Sequence, residues 1–169
     1  MENQPLYDIS VLFVEDNDSL RFLFEKMLAK KVAKVISAEN GQVGLDLYLL
    51  HKPDLVITDI SMPVMDGLQM IKKIKEKMPD TKVVVMSAYS NNEYFLEAIN
   101  LRVDAYLLKP VDAPKLVSTL NNMSFEIIAE KGKEKLIAEL MLDLATLRKE
   151  LMEKEQQIED LKGRLKSNQ

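Results

Sequence analysis

The sequence predicts an α/β protein: a five-stranded parallel sheet covered by helices on both faces and followed by a long C-terminal helix. Within the 169 residues, five short apolar runs alternate with amphipathic segments, which is the pattern of repeated strand–helix units. The runs are almost continuously apolar, as strands buried on both faces are. All six prolines precede residue 115, whereas the segment 130–169 has no proline and carries nine acidic and nine basic residues.

The first two units are predicted from β-branched runs and the helical spacing that follows them. The run Ile9–Val14 indicates a buried strand, and the polar residues after it can cap a helix that extends to about Lys30. A second, weaker strand is predicted over Val32–Ala38. The helix Gly41–Leu50 follows, with its apolar residues on one face.

The remaining units repeat the pattern. We predict a third strand over Leu55–Ile60, followed by a helix over Leu68–Lys77 whose apolar residues are three or four apart. A fourth strand covers Lys82–Ser87 and a fourth helix Glu93–Asn100. The fifth strand is Ala105–Leu108. A proline two residues later ends the pattern, and a final helix begins near residue 112.

The composition excludes several kinds of site. The chain has no cysteine and one histidine, His51, which excludes disulfide scaffolds, zinc knuckles, thiol catalysis and multi-histidine metal sites. The sequence lacks the stripe of basic residues that is typical of nucleic-acid-binding proteins. No apolar run reaches the length of a membrane span, and the N-terminus lacks the pattern of a secretory signal. These observations predict a cytoplasmic protein that binds neither membrane nor nucleic acid.

Polar side chains stand at the ends of four predicted strands. Glu15 and Asp16 follow the first strand, and Asp59 lies at the end of the third. Ser87 ends the fourth strand, and Lys109 follows the fifth. Ligands of parallel sheets bind beyond the carboxyl ends of the strands, so we expect these five side chains to converge on one crevice.

This set of residue types suggests metal-assisted phosphorus chemistry. Three clustered carboxylates would raise one another's pKa values, and a hard divalent cation such as Mg²⁺ would relieve that repulsion. Lys109 can then neutralise an anion that arrives at the metal. A carboxylate beside Mg²⁺ is a plausible nucleophile toward phosphorus, which would give an aspartyl phosphate.

Four stretches in the same order resemble the receiver domain of two-component response regulators, and the resemblance covers roughly residues 7–125. These stretches are Val-Glu-Asp-Asn at 14–17, Asp-Ile-Ser-Met-Pro-Val-Met-Asp-Gly at 59–67, Met-Ser-Ala at 86–88 and Tyr-Leu-Leu-Lys-Pro at 106–110. The resemblance implies a flavodoxin-like (βα)5 fold with strand order 2-1-3-4-5. It also implies a phosphoacceptor that signals and is not an enzyme beyond self-catalysed phosphotransfer and autodephosphorylation.

The resemblance implies roles for the acidic residues. Asp59 would accept a phosphoryl group from a histidine kinase. Glu15, Asp16 and Asp59 would hold Mg²⁺ together with the backbone carbonyl of Ser61. Ser61 and Tyr89 stand at positions that vary within the family and tune autodephosphorylation.

The other matched residues would respond to the phosphoryl group. Lys109 would pair with a phosphoryl oxygen, and a cis peptide before Pro110 would aim it. Ser87, where threonine is commoner, would donate a hydrogen bond to the phosphoryl group. Tyr106 would turn inward when Ser87 moves, and the switch would be read on the face formed by helix four, strand five and helix five.

The tail, residues 130–169, carries a heptad pattern beyond the receiver domain predicted over residues 1–129. Apolar residues alternate at spacings of three and four over 137–165, which predicts a coiled coil and a homodimer. Lys154 is the polar exception, and the flanking charges favour neither a parallel nor an antiparallel pair. Gly132 is predicted to lie within a near-continuous helix. A solvated helix packed on its own receiver domain is the alternative.

The leading hypothesis is therefore a response regulator that relays phosphorylation of Asp59 to a dimerising tail and an unidentified downstream protein. One alternative is an adaptor that keeps the receiver fold without signalling, and a second is a fragment of a larger regulator whose output domain is missing. A third is a phosphohydrolase with an aspartyl-phosphate intermediate. Such enzymes usually have a second acid two residues after the nucleophile, where this chain has Ser61.

Overall fold

The computed structural model of the chain describes residues 5–88 and 92–167. Its packing divides it into two compact units, Met1–Ile128 and Ala129–Gln169. The first unit contains the sheet and is described first. None of the helices in the described ranges is long and apolar enough to cross a membrane.

The secondary structure alternates strand and helix throughout the first unit. The strands are β1 (Tyr7–Val14), β2 (Val32–Ala38), β3 (Leu55–Asp59), β4 (Lys82–Ser87) and β5 (Ala105–Leu108). The helices are α1 (Asp18–Leu28), α2 (Gly41–His51), α3 (Gly67–Lys77), α4 (Asn92–Asn100) and α5 (Ala113–Ser167).

All neighbouring strands are parallel, and their order is β2-β1-β3-β4-β5. The predicted flavodoxin-like fold with a long C-terminal helix is therefore confirmed. Because β1 and β3 are adjacent and β4 and β5 follow on one side, the carboxyl ends of these four strands form one continuous edge. This edge is the place where the polar strand ends were expected to meet.

Alternating strand residues face two separate apolar cores. Phe13 of β1 packs on the face covered by α1 and α5, together with Phe24 and Leu116. Its neighbour Leu12 packs on the opposite face, which is covered by α2, α3 and α4 and includes Ile71. Each fully buried side chain of this size stabilises the fold by roughly 1.5–3 kcal/mol. Burial on both faces explains why the strands are almost continuously apolar.

Two strand boundaries differ from the prediction. The first strand begins at Tyr7, two residues before the predicted start, because Tyr7 pairs with Val32 across a register shift and its ring packs edge-on against Phe125 at 5.7 Å. The third strand ends at Asp59 and not at Ile60. The Ile60 carbonyl accepts a hydrogen bond of 2.8 Å from the amide of Gly67, which turns the chain out of the sheet.

The second unit is the continuation of α5 beyond Ile128, and Gly132 lies inside the helix. Every side chain described between residues 129 and 164 is exposed, including the seam residues Leu140, Leu147 and Leu151 at 58, 61 and 58 %. The side chain of Leu165 lies outside the described part. The tail therefore presents a row of large apolar side chains to solvent.

Gly67 has no room for a side chain, because a Cβ there would stand 2.0 Å from the carbonyl oxygen of Asp59. We expect Gly67→Ala to lower the free energy of unfolding by about 1–3 kcal/mol, since the end of β3 must move to admit the methyl group. Urea denaturation followed by circular dichroism measures the loss. Gly132→Ala is the matched control: its Cβ would meet nothing within 4 Å, and alanine favours a helix over glycine. Equal effects of the two substitutions would contradict the close approach.

Candidate functional site

The carboxyl ends of β1 and β3 bring three carboxylates together. Glu15 is 1 % exposed, Asp59 is buried at the end of β3, and Asp16 lies exposed beside them. One carboxylate oxygen from each of the three lies within 4.8 Å of the other two. The adjacency of β1 and β3 in the sheet produces this cluster from two segments that are far apart in the sequence.

Lys109 bridges two of these carboxylates. Its Nζ donates hydrogen bonds of 2.6 Å to Oδ2 of Asp59 and 2.8 Å to Oε2 of Glu15. The backbone N–H of Lys109 donates to the carbonyl of Ser87 at 2.7 Å, so the ends of β4 and β5 hold the lysine in place. The peptide bond between Lys109 and Pro110 is cis, as the resemblance implies.

The carboxylate of Asp59 is oriented through both of its oxygens. Oδ1 accepts a hydrogen bond of 2.7 Å from the backbone N–H of Ile60, and Oδ2 accepts the bond from Lys109. The same Ile60 N–H lies 3.2 Å from the carbonyl of Met86 in β4. Asp59 is therefore fixed by its own chain turn and by the neighbouring strand.

Glu15 is a buried acid whose charge is offset by Lys109. Burial raises the pKa of Glu15 above its ordinary value; the hydrogen bond and attraction from Lys109 oppose the increase, and the negative charge of Asp59 adds to it. Burial lowers the pKa of Lys109, but the hydrogen bonds and charges of Asp59 and Glu15 outweigh it, so the pKa of Lys109 is raised. Lys109 is consequently a firmly held cation.

The net charge of the site favours binding of a divalent cation. With Glu15, Asp16 and Asp59 ionised and Lys109 protonated, the four side chains carry a net charge of −2 (−3 + 1 = −2). A divalent cation would cancel this charge, and a donor set made only of oxygen suits hard cations. The acidic pocket could therefore bind a metal ion.

The remaining predicted residues within the described ranges belong to β4, β5 and the segment after β3. Ser87 is fully buried at the end of β4, beside Leu108 of β5. Tyr106 is partly buried in β5, and its ring meets Phe95 of α4 edge-on at 5.4 Å. Ser61 is exposed two residues after Asp59, while Tyr89 lies outside the described residues.

Two features of the site were not predicted from the sequence. Arg21 of α1 donates a hydrogen bond of 2.7 Å from Nη1 to the carbonyl of Glu15, which supports the turn that carries the acidic pair. The sequence could have indicated this contact, because Arg21 lies six residues after Glu15 in the first turns of a capped helix. A cavity of about 380 Å³ beside Lys109 is lined by Leu20, Phe24 and Val111, among others. No sequence pattern indicated the cavity, because its walls come from α1, β4 and the segment that follows β5.

Glu15 should make the metal-free protein less stable as the pH rises. The folded protein retains a proton on Glu15 at pH values where the unfolded chain has released it, so stability falls from about pH 4.5 upward as Glu15 ionises. Glu15→Gln keeps the side-chain shape without the charge. We expect it to be more stable than the wild type at pH 7, with a smaller difference at pH 5, in urea denaturation with a chelator present.

The matched control for this prediction is Asp16→Asn, which removes the neighbouring, exposed carboxylate and should change the stability little. A stability difference between Glu15→Gln and the wild type that does not grow between pH 5 and pH 7 would contradict the prediction.

Comparison with known proteins identifies a family. The model of the response regulator receiver domain matches residues 11–121, which are 111 of the 169 residues. The chemotaxis protein CheY of Bacillus subtilis is 31 % identical over 112 residues, which cover 66 % of this chain and 93 % of that protein. The transcriptional regulatory protein YesN of the same organism is 34 % identical over 111 residues, again 66 % of this chain but only 30 % of YesN.

A solved structure agrees with this assignment. The N-terminal domain of the protein WS1339 from Wolinella succinogenes superposes with a TM-score of 0.69 at 36 % identity, covering 72 % of this chain and 98 % of that domain. The family model covers the part of the chain that contains all four side chains of the acidic pocket, Glu15, Asp16, Asp59 and Lys109. The chain belongs to the receiver domain family of two-component response regulators.

Proposed function

We propose that Asp59 accepts a phosphoryl group from a histidine kinase in a Mg²⁺-dependent reaction. Receiver domains are signalling phosphoacceptors and not enzymes in the usual sense. The observation that carries the proposal is the Asp59 carboxylate itself, held by Ile60 and Lys109 within 4.8 Å of Glu15 and Asp16. A nucleophile, a cation and a metal-ligand pair are what phosphoryl transfer to a carboxylate requires.

The residues that would hold Mg²⁺ are Glu15, Asp16 and Asp59, with the backbone carbonyl of Ser61 as a fourth protein ligand. The net charge of −2 and the all-oxygen donor set support this choice. When bound, Mg²⁺ would neutralise charge on the phosphoryl oxygens and so reduce their repulsion by the carboxylates. Asp16, which is exposed, leaves the site open to solvent and to a donor.

In the transfer step, a carboxylate oxygen of Asp59 forms a bond to the phosphorus of the donor phosphohistidine while the P–N bond breaks. The imidazole leaves with the bonding electron pair and takes up a proton, and an acyl phosphate remains on Asp59. Lys109, a cation with a raised pKa, exchanges its contact with Asp59 for a phosphoryl oxygen. The hydroxyl of Ser87 donates to another phosphoryl oxygen.

The response would pass from Ser87 to the surface through β5. The Ser87 carbonyl accepts the hydrogen bond from Lys109, and Tyr106 pairs with Val85 one strand away, so a movement of the β4 end reaches the tyrosine. Tyr106 would turn inward and release its edge-on contact with Phe95. The face formed by α4, β5 and α5 would then change shape for a downstream protein.

The tail, residues 130–169, would act as a dimerising segment outside the receiver domain at residues 1–129. The seam over 137–165 leaves leucines about half exposed in a single chain, for example Leu144 at 49 % and Leu161 at 58 %. A second copy of the same helix would bury them by knobs-into-holes packing. We therefore propose a homodimer through this coiled coil, which links phosphorylation of Asp59 to a paired tail.

Asp59→Asn should abolish phosphorylation by acetyl phosphate, because the amide cannot form the acyl phosphate. Electrophoresis that retards phosphoproteins measures the product, and a chelator should stop the reaction of the wild type. Asp66→Asn is the matched control: it changes a nearby carboxylate that caps α3, and asparagine caps as well as aspartate. Base-labile labelling of Asp59→Asn equal to the wild type would rule out Asp59 as the acceptor.

Leu151→Lys should convert the dimer into a monomer, because it places a charge in the seam next to Lys154. Light scattering should give about twice the chain mass of 19.3 kDa for the wild type and about one chain mass for the variant. Met152→Lys is the control, since Met152 is exposed in the single chain, at 69 % against 58 % for Leu151, but lies outside the seam. A monomeric wild type, or dissociation by both substitutions alike, would refute the dimer.

A further inference from the structure

Lys154 is the charged residue in an otherwise apolar seam. With Ile137 at heptad position a, Lys154 occupies position d, between Leu151 and Ile158 at the flanking a positions. A lone lysine in the seam of a two-stranded coiled coil lowers stability unless a carboxylate compensates it. A carboxylate near this position, on either helix, would offset the cost.

A second irregularity lies at the same level. In a parallel, in-register pair, a residue at g meets the residue five positions later, at e, of the other helix, so Glu150 meets the partner's Glu155. Two carboxylates facing each other repel. Taken separately, the seam lysine and this acidic pair each disfavour a parallel dimer.

Taken together, the two irregularities compensate. A d residue packs into a hole that includes the e′ residue of the other helix, which places Lys154 beside the partner's Glu155. On its own helix, Lys154 lies four residues after Glu150, the favourable order for an i,i+4 ion pair. Each lysine thus lies between two carboxylates, one from each chain, and the dimer contains two such triads.

We infer that the tails pair in parallel and in register through an ionic layer of Glu150, Lys154 and the partner's Glu155. The inference rests on the dimer proposed above and adds its direction and register. In a single chain, Glu150, Lys154 and Glu155 form no ion pair within the described ranges. The triad supplies the partner that each charge lacks.

The e positions explain why this register is selected. A slip of one heptad places Lys154 beside the partner's Arg148 or the partner's Lys162, because these are the e residues on either side of Glu155. Both slipped arrangements bring like charges together, whereas the in-register pair brings opposite charges together. An antiparallel pair sets e beside e′ and g beside g′, and the triad does not form.

The other flanking pairs of the parallel arrangement do not oppose it. Asp143 meets the partner's Arg148, which is attractive, and Leu136 meets the partner's Met141, which extends the apolar contact. Gln157 and the partner's Lys162 do not repel. A parallel pair also brings the N-terminal ends of the two tails together, so the two receiver domains join the coiled coil at the same end.

Cross-linking tests the direction, because the chain has no cysteine of its own. Leu161→Cys introduces a thiol at position d, and a parallel, in-register dimer should form a disulfide between the two copies on mild oxidation. Gln156→Cys, at the outward position f, is the control and should not cross-link. Formation of a mixed disulfide between Leu144→Cys and Leu161→Cys chains, with no Leu161→Cys homodimer, would show an antiparallel pair and overturn the inference.

A double-mutant cycle tests the ionic layer. Adjacent residues on one helix do not face each other, so coupling between Lys154→Gln and Glu155→Gln can arise only across the dimer. We expect a coupling of roughly threefold to tenfold in the dimer dissociation constant, because the dimer contains two such partly exposed ion pairs and both contribute. Glu153→Gln paired with Lys154→Gln is the control and should show no coupling.

The outcomes separate the inference from the proposal on which it rests. A wild-type chain that is monomeric by light scattering refutes the dimer and the inference with it. A dimer that shows neither the Leu161→Cys cross-link nor the coupling between residues 154 and 155 refutes the inference alone.

Discussion

The site depends on the hydrogen bonds that the ammonium group of Lys109 donates to two carboxylates. This group donates to Asp59 and Glu15 at once, and Glu15 is almost completely buried. A buried carboxylate without a cation is strongly unfavourable, so the ammonium group from the loop after β5 offsets part of the cost of bringing the ends of β1 and β3 together. The same contact leaves two negative charges uncompensated, which makes the pocket receptive to a cation. Lys109 therefore contributes both to the stability of the fold and to the charge of the pocket.

The parallel sheet supplies the geometry for this contact. Four strands end at one edge, and backbone features hold two of the polar residues there. Asp59 is held by the turn at Ile60 and the close approach of Gly67, and Lys109 is held by the carbonyl of Ser87. Apolar packing on both faces of the sheet prevents the strands from sliding to relieve charge repulsion. A change at Asp59 must therefore be accommodated by side chains and strand ends, which is the physical basis of the switch proposed for Ser87 and Tyr106.

The two units differ in how they satisfy their apolar residues. The receiver unit buries its large side chains in two cores of its own, one on each face of the sheet. The described part of the tail buries none, although its leucines follow a heptad spacing. In the proposed dimer, a second copy of the helix would bury this seam, and the charges around Lys154 would set the direction of that copy. Under that proposal, the tail would connect phosphorylation of Asp59 to the assembly of two chains.

Local apolar periodicity and chain order are sufficient to predict the strand–helix order, the parallel sheet and the identity of the polar strand ends. The contacts between those strand ends arise only in the folded chain. That Lys109 bridges Glu15 and Asp59, that Gly67 abuts Asp59, and that β3 ends one residue early all depend on distances between segments far apart in the chain. Hydrophobic patterns are encoded along the chain, whereas hydrogen bonds and charge compensation between strands exist only once the sheet has formed.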